Sequence, residues 1–127
     1  MITELNHLTI NVVNLGKSNL FYADVLGLLP AGTIDMGDHT LTYYALPGGC
    51  RLELICYANP SGTMHPPSDT CGLYRHFCLR TTSLEELYTR CVQYGVKVTK
   101  KPSYVEKLGC STLLIVDPNG VEIELIE

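Results

Sequence analysis

The sequence predicts an α+β fold made of two βαβββ modules, and three observations carry that prediction. First, the chain repeats itself. The stretch "HLTINVVNLGKSNLFYADVLGL" from His7 aligns with "HFCLRTTSLEELYTRCVQYGV" from His76, an offset of 76 − 7 = 69. Second, each copy opens on a histidine in an alternating segment, passes into a segment of helical spacing, and reaches a glycine, Gly27 or Gly95, followed by an aliphatic residue. Third, the halves close alike: Leu52, Glu53 and Leu54 answer Ile123, Glu124 and Leu125 at an offset of 124 − 53 = 71.

The elements follow in order. His7 to Val13 alternates as a strand. Leu15 to Leu26 carries Leu15, Leu20, Phe21, Val25 and Leu26 near helical spacing, and Gly27 ends that helix. Strands are expected near 28 to 35, 40 to 46 and 50 to 57, the last two joined by a turn at Pro47, Gly48 and Gly49. The second half predicts a strand from Tyr74, a helix from Ser83 to Tyr94, and strands near 96 to 100, 110 to 116 and 121 to 126. Ser83 with Glu86 reads as a capping box for that helix. Ser103 to Lys107 is compatible with strand or loop. The expected organisation is a single domain of two repeats, about 1–58 and 72–127, joined by a proline-rich linker at 58–71.

Composition narrows the function. The chain has 127 residues, with 9 Lys and Arg against 13 Asp and Glu, a formal charge of −4. This acidic balance, without a basic block, argues against nucleic acid or an anionic membrane surface as partner. The longest aliphatic run, Leu113 to Val116, is far short of the roughly 20 residues of a membrane-spanning helix. Met1 to His7 carries Glu4, no Lys or Arg, and no following apolar stretch with a cleavage site, so a cytoplasmic protein is expected. The six cysteines form no Cys-x-x-Cys pair and read as small buried hydrophobes rather than disulfide partners.

Strand alternation places the candidate site residues. His7, Thr9 and Asn11 share the face opposite Leu8, Ile10 and Val12, which suits packing under the helix. Glu53 shares a face with Arg51, Ile55 and Tyr57, opposite Cys50, Leu52, Leu54 and Cys56. His76 falls with Tyr74, Cys78 and Arg80, and Glu124 with Glu122, both away from the core side. Two imidazoles and two carboxylates form a mixed nitrogen and oxygen set, suited to a divalent ion of the Zn, Ni, Co, Mn or Fe group and less to Ca. Open coordination positions would bind a small-molecule substrate through two oxygens. Glu122 lies on the face of Glu124, but the repeat pairs Glu53 with Glu124, so Glu122 is set aside. His39 and His65 fall in an expected turn and in the linker, outside the site. Cys78 lies beside His76 without a general base or oxyanion arrangement for a nucleophile.

On "LNHLTINV", "FYADVLGL", "RLELICY", "YRHFCLR" and above all "DPNGVEIELIE", the chain resembles the vicinal oxygen chelate superfamily, specifically its glyoxalase I-like members. The resemblance implies a cupped sheet from the paired modules, commonly in a homodimer. It places the four metal ligands on His7, Glu53, His76 and Glu124, with Glu124 as principal base and Glu53 as its counterpart. It further implies one divalent ion per site, Ni, Co or Zn, and glutathione or another thiol as co-substrate. In glyoxalase I a hemithioacetal of methylglyoxal and glutathione is isomerised through an enediolate. Positions that help hold glutathione there correspond to Asn11 and Tyr57, where the family has arginine and asparagine, and Lys100 falls near a carboxylate-binding lysine. Thr9 matches a threonine of the fosfomycin-resistance thiol transferases, which share "LNHLT" but have three ligands. Methylmalonyl-CoA epimerase typically has glutamine at the place of Glu53, extradiol dioxygenases need only two His and one Glu, and bleomycin-resistance proteins bind a ligand without metal.

Overall fold

The computed structural model describes residues 1–62 and 74–127; His65, Cys71 and most of the expected linker lie outside the described residues. The chain divides into two compact units, Met1–Thr63 and Met64–Glu127. In the first, strand β1 (His7–Asn11) leads through a helical segment to β2 (Leu29–Asp35), β3 (His39–Ala45) and β4 (Arg51–Tyr57). In the second, β5 (Phe77–Arg80), helix α2 (Leu84–Gln93), β6 (Lys97–Val105), β7 (Cys110–Val116) and β8 (Glu122–Ile126) follow in the same sequence. The sheet orders correspond: β1-β4-β3-β2 and β5-β8-β7-β6. Within each unit the first and last strands pair parallel and the other neighbours antiparallel. Parallel neighbours need a long crossover, which the helix and two intervening strands provide.

The expected first helix is two helices in one. Helix α1 (Leu15–Asn19) is capped by Asn14, whose side chain accepts from the Lys17 N–H at 2.9 Å. It then widens into a π-helical turn over Leu20–Val25, and the Leu26 N–H reaches back five residues to the Phe21 carbonyl at 3.0 Å. The wider turn buries Phe21, Tyr22 and Val25 and leaves Leu20 48% exposed. Tyr22 therefore takes the core place expected of Leu20. Its ring meets Phe21 edge-on at 4.9 Å and lies 6.1 Å from Tyr44, whose hydroxyl donates to Asn19 Oδ1 at 2.8 Å. Burial, with Asp24 nearby, pushes the Tyr44 hydroxyl up.

In α2, Ser83 accepts from the Glu86 N–H at 3.2 Å, one half of the expected capping box; the Glu86 carboxylate instead pairs with Arg90 at 2.9 Å, one turn along. The helix ends in a Schellman motif: Gly95 takes a φ of 66°, its N–H donates to Val92 O, and that of Val96 to Cys91 O at 2.8 Å. Behind α2 the core is aliphatic: Leu84, Leu113, Ile115, Ile123 and Leu125 are all buried. Each such side chain contributes about 1.5–3 kcal/mol by leaving water.

The outer strands carry the irregularities of each sheet. Strand β6 runs through the ambiguous region to Val105, with register shifts between Val98 and Lys100 and between Lys100 and Ser103, around Pro102. Strand β2 is exposed along its whole length and carries a bulge between Pro30 and Gly32. His39 begins β3 rather than lying in a turn, and its ring stacks on Tyr57 at 4.9 Å. Five described cysteines are free, but only Cys91 is buried and Cys78 is exposed, so the reading of all six as buried hydrophobes holds for one. No helix among the described residues is long and apolar enough to cross a membrane.

Burial pushes the Cys91 thiol up to about 11. The stability this brings is full below the ordinary thiol value and is lost as pH rises toward the folded value. Iodoacetamide at pH 8 should leave Cys91 unmodified in the native protein and label it on denaturation, as read by peptide mass spectrometry.

Candidate metal-binding site

In the first unit the parallel ladder of β1 and β4 sets His7 beside Arg51 and Thr9 beside Glu53. Glu53 points away from Leu52 and Leu54, as alternation requires, yet it is only 7% exposed. Thr9 Oγ1 donates to Glu53 Oε1 at 3.0 Å, and Tyr43, the register partner of Glu53 on β3, donates its hydroxyl to the same carboxylate. The Arg51 guanidinium lies over the Tyr43 ring, 4.5 Å from its centroid. Burial alone would push the Glu53 carboxyl up. The hydrogen bonds from Tyr43 and Thr9, with the charges of His7 and Arg51, outweigh it and hold the group below the usual carboxylate value. The same hydrogen bond, with burial, raises the Tyr43 hydroxyl. Asn6 Oδ1 lies 2.8 Å from His7 Nδ1 and accepts from its N–H, which leaves Nε2 as the ring nitrogen for a ligand bond.

In the second unit His76 sits just ahead of β5, two residues before Cys78, the register partner of Glu124. His7 stands at the same place, two residues before the partner of Glu53. His76 Nε2 lies 3.2 Å from Glu124 Oε2, and Nδ1 lies 3.5 Å from Glu122 Oε1. Burial, followed by the charge and hydrogen bond of Glu124, pushes the Cys78 thiol up, which makes it a poor nucleophile. Strand β8 is launched by a tight turn. Asp117 Oδ1 accepts from the Asn119 and Val121 N–H groups, each at 2.8 Å, and Gly120 takes a φ of 92°.

Each unit thus brings one histidine and one glutamate together on the strand face opposite its core. Among the described residues no group of three or more His, Cys, Asp or Glu side chains is arranged to hold a metal ion. Imidazole nitrogen and carboxylate oxygen are the donor chemistry of a divalent ion, so the residues present fit one. The expected substrate contacts are placed unevenly. The Thr9 hydroxyl is spent on Glu53, Asn11 is exposed on the same strand, and Tyr57 is 43% exposed under the His39 ring. Lys100 Nζ donates to the Thr112 hydroxyl and, at 3.4 Å, to its carbonyl, within its own sheet.

The family model described as Glyoxalase/Bleomycin resistance protein/Dioxygenase superfamily matches residues 4–125. The chain belongs to that superfamily. It is similar to a probable lactoylglutathione lyase of Synechocystis, 29% identical over 97% of this chain and 94% of that protein. It is likewise similar to the glutathione transferase FosA of Serratia marcescens, 28% identical over 98% of this chain and 81% of that one. Among solved structures it is similar in fold to the trypanothione-dependent glyoxalase I of Leishmania major, with a TM-score of 0.76 at 23% identity, covering 99% of this chain and 87% of that one.

In this superfamily member the two glutamates have different surroundings. Glu53 is held by two hydroxyl donors, whereas Glu124 meets an imidazole and a thiol. Tyr43 escaped the sequence reading, although an antiparallel neighbour strand with a tyrosine opposite Glu53 is the signal that finds it. Glu122 was set aside there and yet touches His76. The stability that Glu53 brings through its lowered pKa is complete above the ordinary carboxylate value and is lost as pH falls through the folded value. Replacing both donors, Thr9→Val with Tyr43→Phe, leaves burial with less opposition; NMR titration of the Glu53 carboxyl should show its midpoint rise relative to the wild type.

Proposed function

We propose that this protein is a metal-dependent lyase or isomerase of glyoxalase I type, acting by proton transfer on an α-hydroxycarbonyl or hemithioacetal. His7, Glu53, His76 and Glu124 are the proposed ligands of one divalent ion, Ni, Co or Zn, and the active form is a homodimer. The observation that carries this reading is the recurrence of one histidine and one glutamate at the same ladder spacing in both units. The similarity to a probable lactoylglutathione lyase over nearly the whole chain supports it.

A bound divalent ion lowers the cost of negative charge developing on the substrate oxygens. The chain's own groups do the rest. Glu124, which meets the His76 imidazole, takes the proton from one carbon and returns it to the next. Glu53, kept as a carboxylate by Thr9 and Tyr43, serves as a fixed negative ligand. Asn11 and Tyr57 on the face of Glu53 meet the body of the substrate. A thiol is the co-substrate.

The similarity to a glutathione transferase favours a second reading, thiol addition to an electrophile at the same site. The two differ in product: a thioester with its ultraviolet absorbance, or a stable thioether without it.

Protein purified without chelator should carry near one metal per chain by elemental analysis. With methylglyoxal and glutathione it should form thioester in the presence of nickel, cobalt or zinc, and lose that activity on chelation. Glu124→Gln should lower kcat by about 100-fold or more with a smaller change in KM. Metal with no thioester, but with glutathione consumed by an electrophile, would favour the transferase. No metal under any loading would overturn the four-ligand reading.

A further inference from the structure

We propose that Glu122 is the positioning residue of His76, holding the Nδ1 side of the imidazole so that Nε2 presents to a divalent ion. The proposal rests on the reading of His76 as a ligand. It comes from a difference between the two units at one ladder position. In the first unit the residue beside the histidine, across the parallel pair, is Arg51. Phe77 pairs with Ile123, so one step back along the same ladder Glu122 stands beside His76. The residue preceding the histidine changes in the opposite sense, from Asn6 to Arg75.

These two changes compensate. In the first unit Asn6 supplies an oxygen to His7 Nδ1 at 2.8 Å, and Arg51 is turned onto the Tyr43 ring. In the second, the preceding Arg75 has only donors and cannot accept from an imidazole N–H. The oxygen comes instead from β8: Glu122 Oε1 lies 3.5 Å from His76 Nδ1 and 3.2 Å from Arg75 Nη2. The side chain of Glu122 is 13% exposed against 21% for Glu124. His76 Nδ1 and Glu122 Oε1 are both buried, and among the described residues neither has a hydrogen-bond partner in good geometry. A few tenths of an ångström of ring movement brings them to hydrogen-bond distance. With its Nδ1 side held by Glu122, the ring keeps Nε2 on the side of Glu124, 3.2 Å from Oε2, where a ligand nitrogen belongs. A carboxylate behind a ligating histidine orients the ring and raises its basicity.

The test uses the intact protein, with zinc for NMR and cobalt for affinity. Nitrogen-15 NMR of the zinc-loaded protein should show a His76 Nδ1–H held in a hydrogen bond and slow to exchange with solvent, and Glu122→Ala should speed that exchange. By calorimetric titration, Glu122→Ala should bind cobalt about tenfold more weakly than the wild type. Glu122→Gln, which keeps an accepting oxygen, should recover most of that loss. If Glu122→Ala does not fold, Glu122→Met keeps the volume and removes the acceptor. An unchanged Nδ1–H exchange rate, or an affinity within about threefold of the wild type, overturns the proposal. So does a loss as complete as that of His76→Ala, which would make Glu122 a ligand itself. Cobalt bound as tightly by His76→Ala as by the wild type would fail the ligand reading first, without reference to Glu122.

Discussion

Everything at the candidate site depends on the parallel pairing of the first and last strands of each unit. Because side chains alternate along a strand, a slip of one residue between β1 and β4 would turn either His7 or Glu53 into the core. The same holds for β5 and β8 with His76 and Glu124. The pairing is enforced from the buried side, where Leu52 and Leu54, and Ile123 and Leu125, face their helices' core. It is reinforced at the entry to β8 by Asp117, whose carboxylate collects two backbone N–H groups before the strand begins. Packing on one face thus fixes chemistry on the other.

Within that shared frame the two halves have diverged in charge. Glu53 sits among Thr9, Tyr43, His7 and Arg51, groups that favour its ionised form. The second unit has no arginine at the position of Arg51; it has Glu122, and the positive charge moves to Arg75, one step before the histidine. Each histidine keeps an oxygen beside Nδ1, supplied by a different residue from a different direction. Two copies of one module therefore place their glutamates in unlike surroundings, one held by hydroxyl donors and one beside an imidazole and a thiol.

The sequence reveals the order of elements along the chain, the faces and the His–Glu pairs, because the period of two and the repeat are properties of the chain itself. It does not reveal the π-helical turn at Leu20–Val25. Spacing shows that a segment is helical, but the hydrogen-bond step decides whether Leu20 or Tyr22 turns inward. The strand at Ser103–Val105 was obscured by Pro102 and the neighbouring lysines, residues that an outer strand with an irregular ladder tolerates. Alternation also gives the direction of Glu53 but not its burial, since it says nothing about what the neighbouring strand lays over it. Glu122 went unrecognised for a different reason: the repeat was read as a symmetry, and the residue matters where the symmetry breaks.

The outer strands carry a last consequence. An exposed strand at the end of a sheet offers unpaired backbone groups to any other extended chain. In β6 the run Lys100, Lys101, Pro102 lies where the ladder shifts register, combining charge, a missing N–H and an irregular edge. In β2, Pro30 and the bulge before Gly32 do the same on a strand that is exposed throughout. Such features disfavour edge-to-edge pairing with another chain. Resistance to aggregation and a regular strand signature are opposed demands on the same residues.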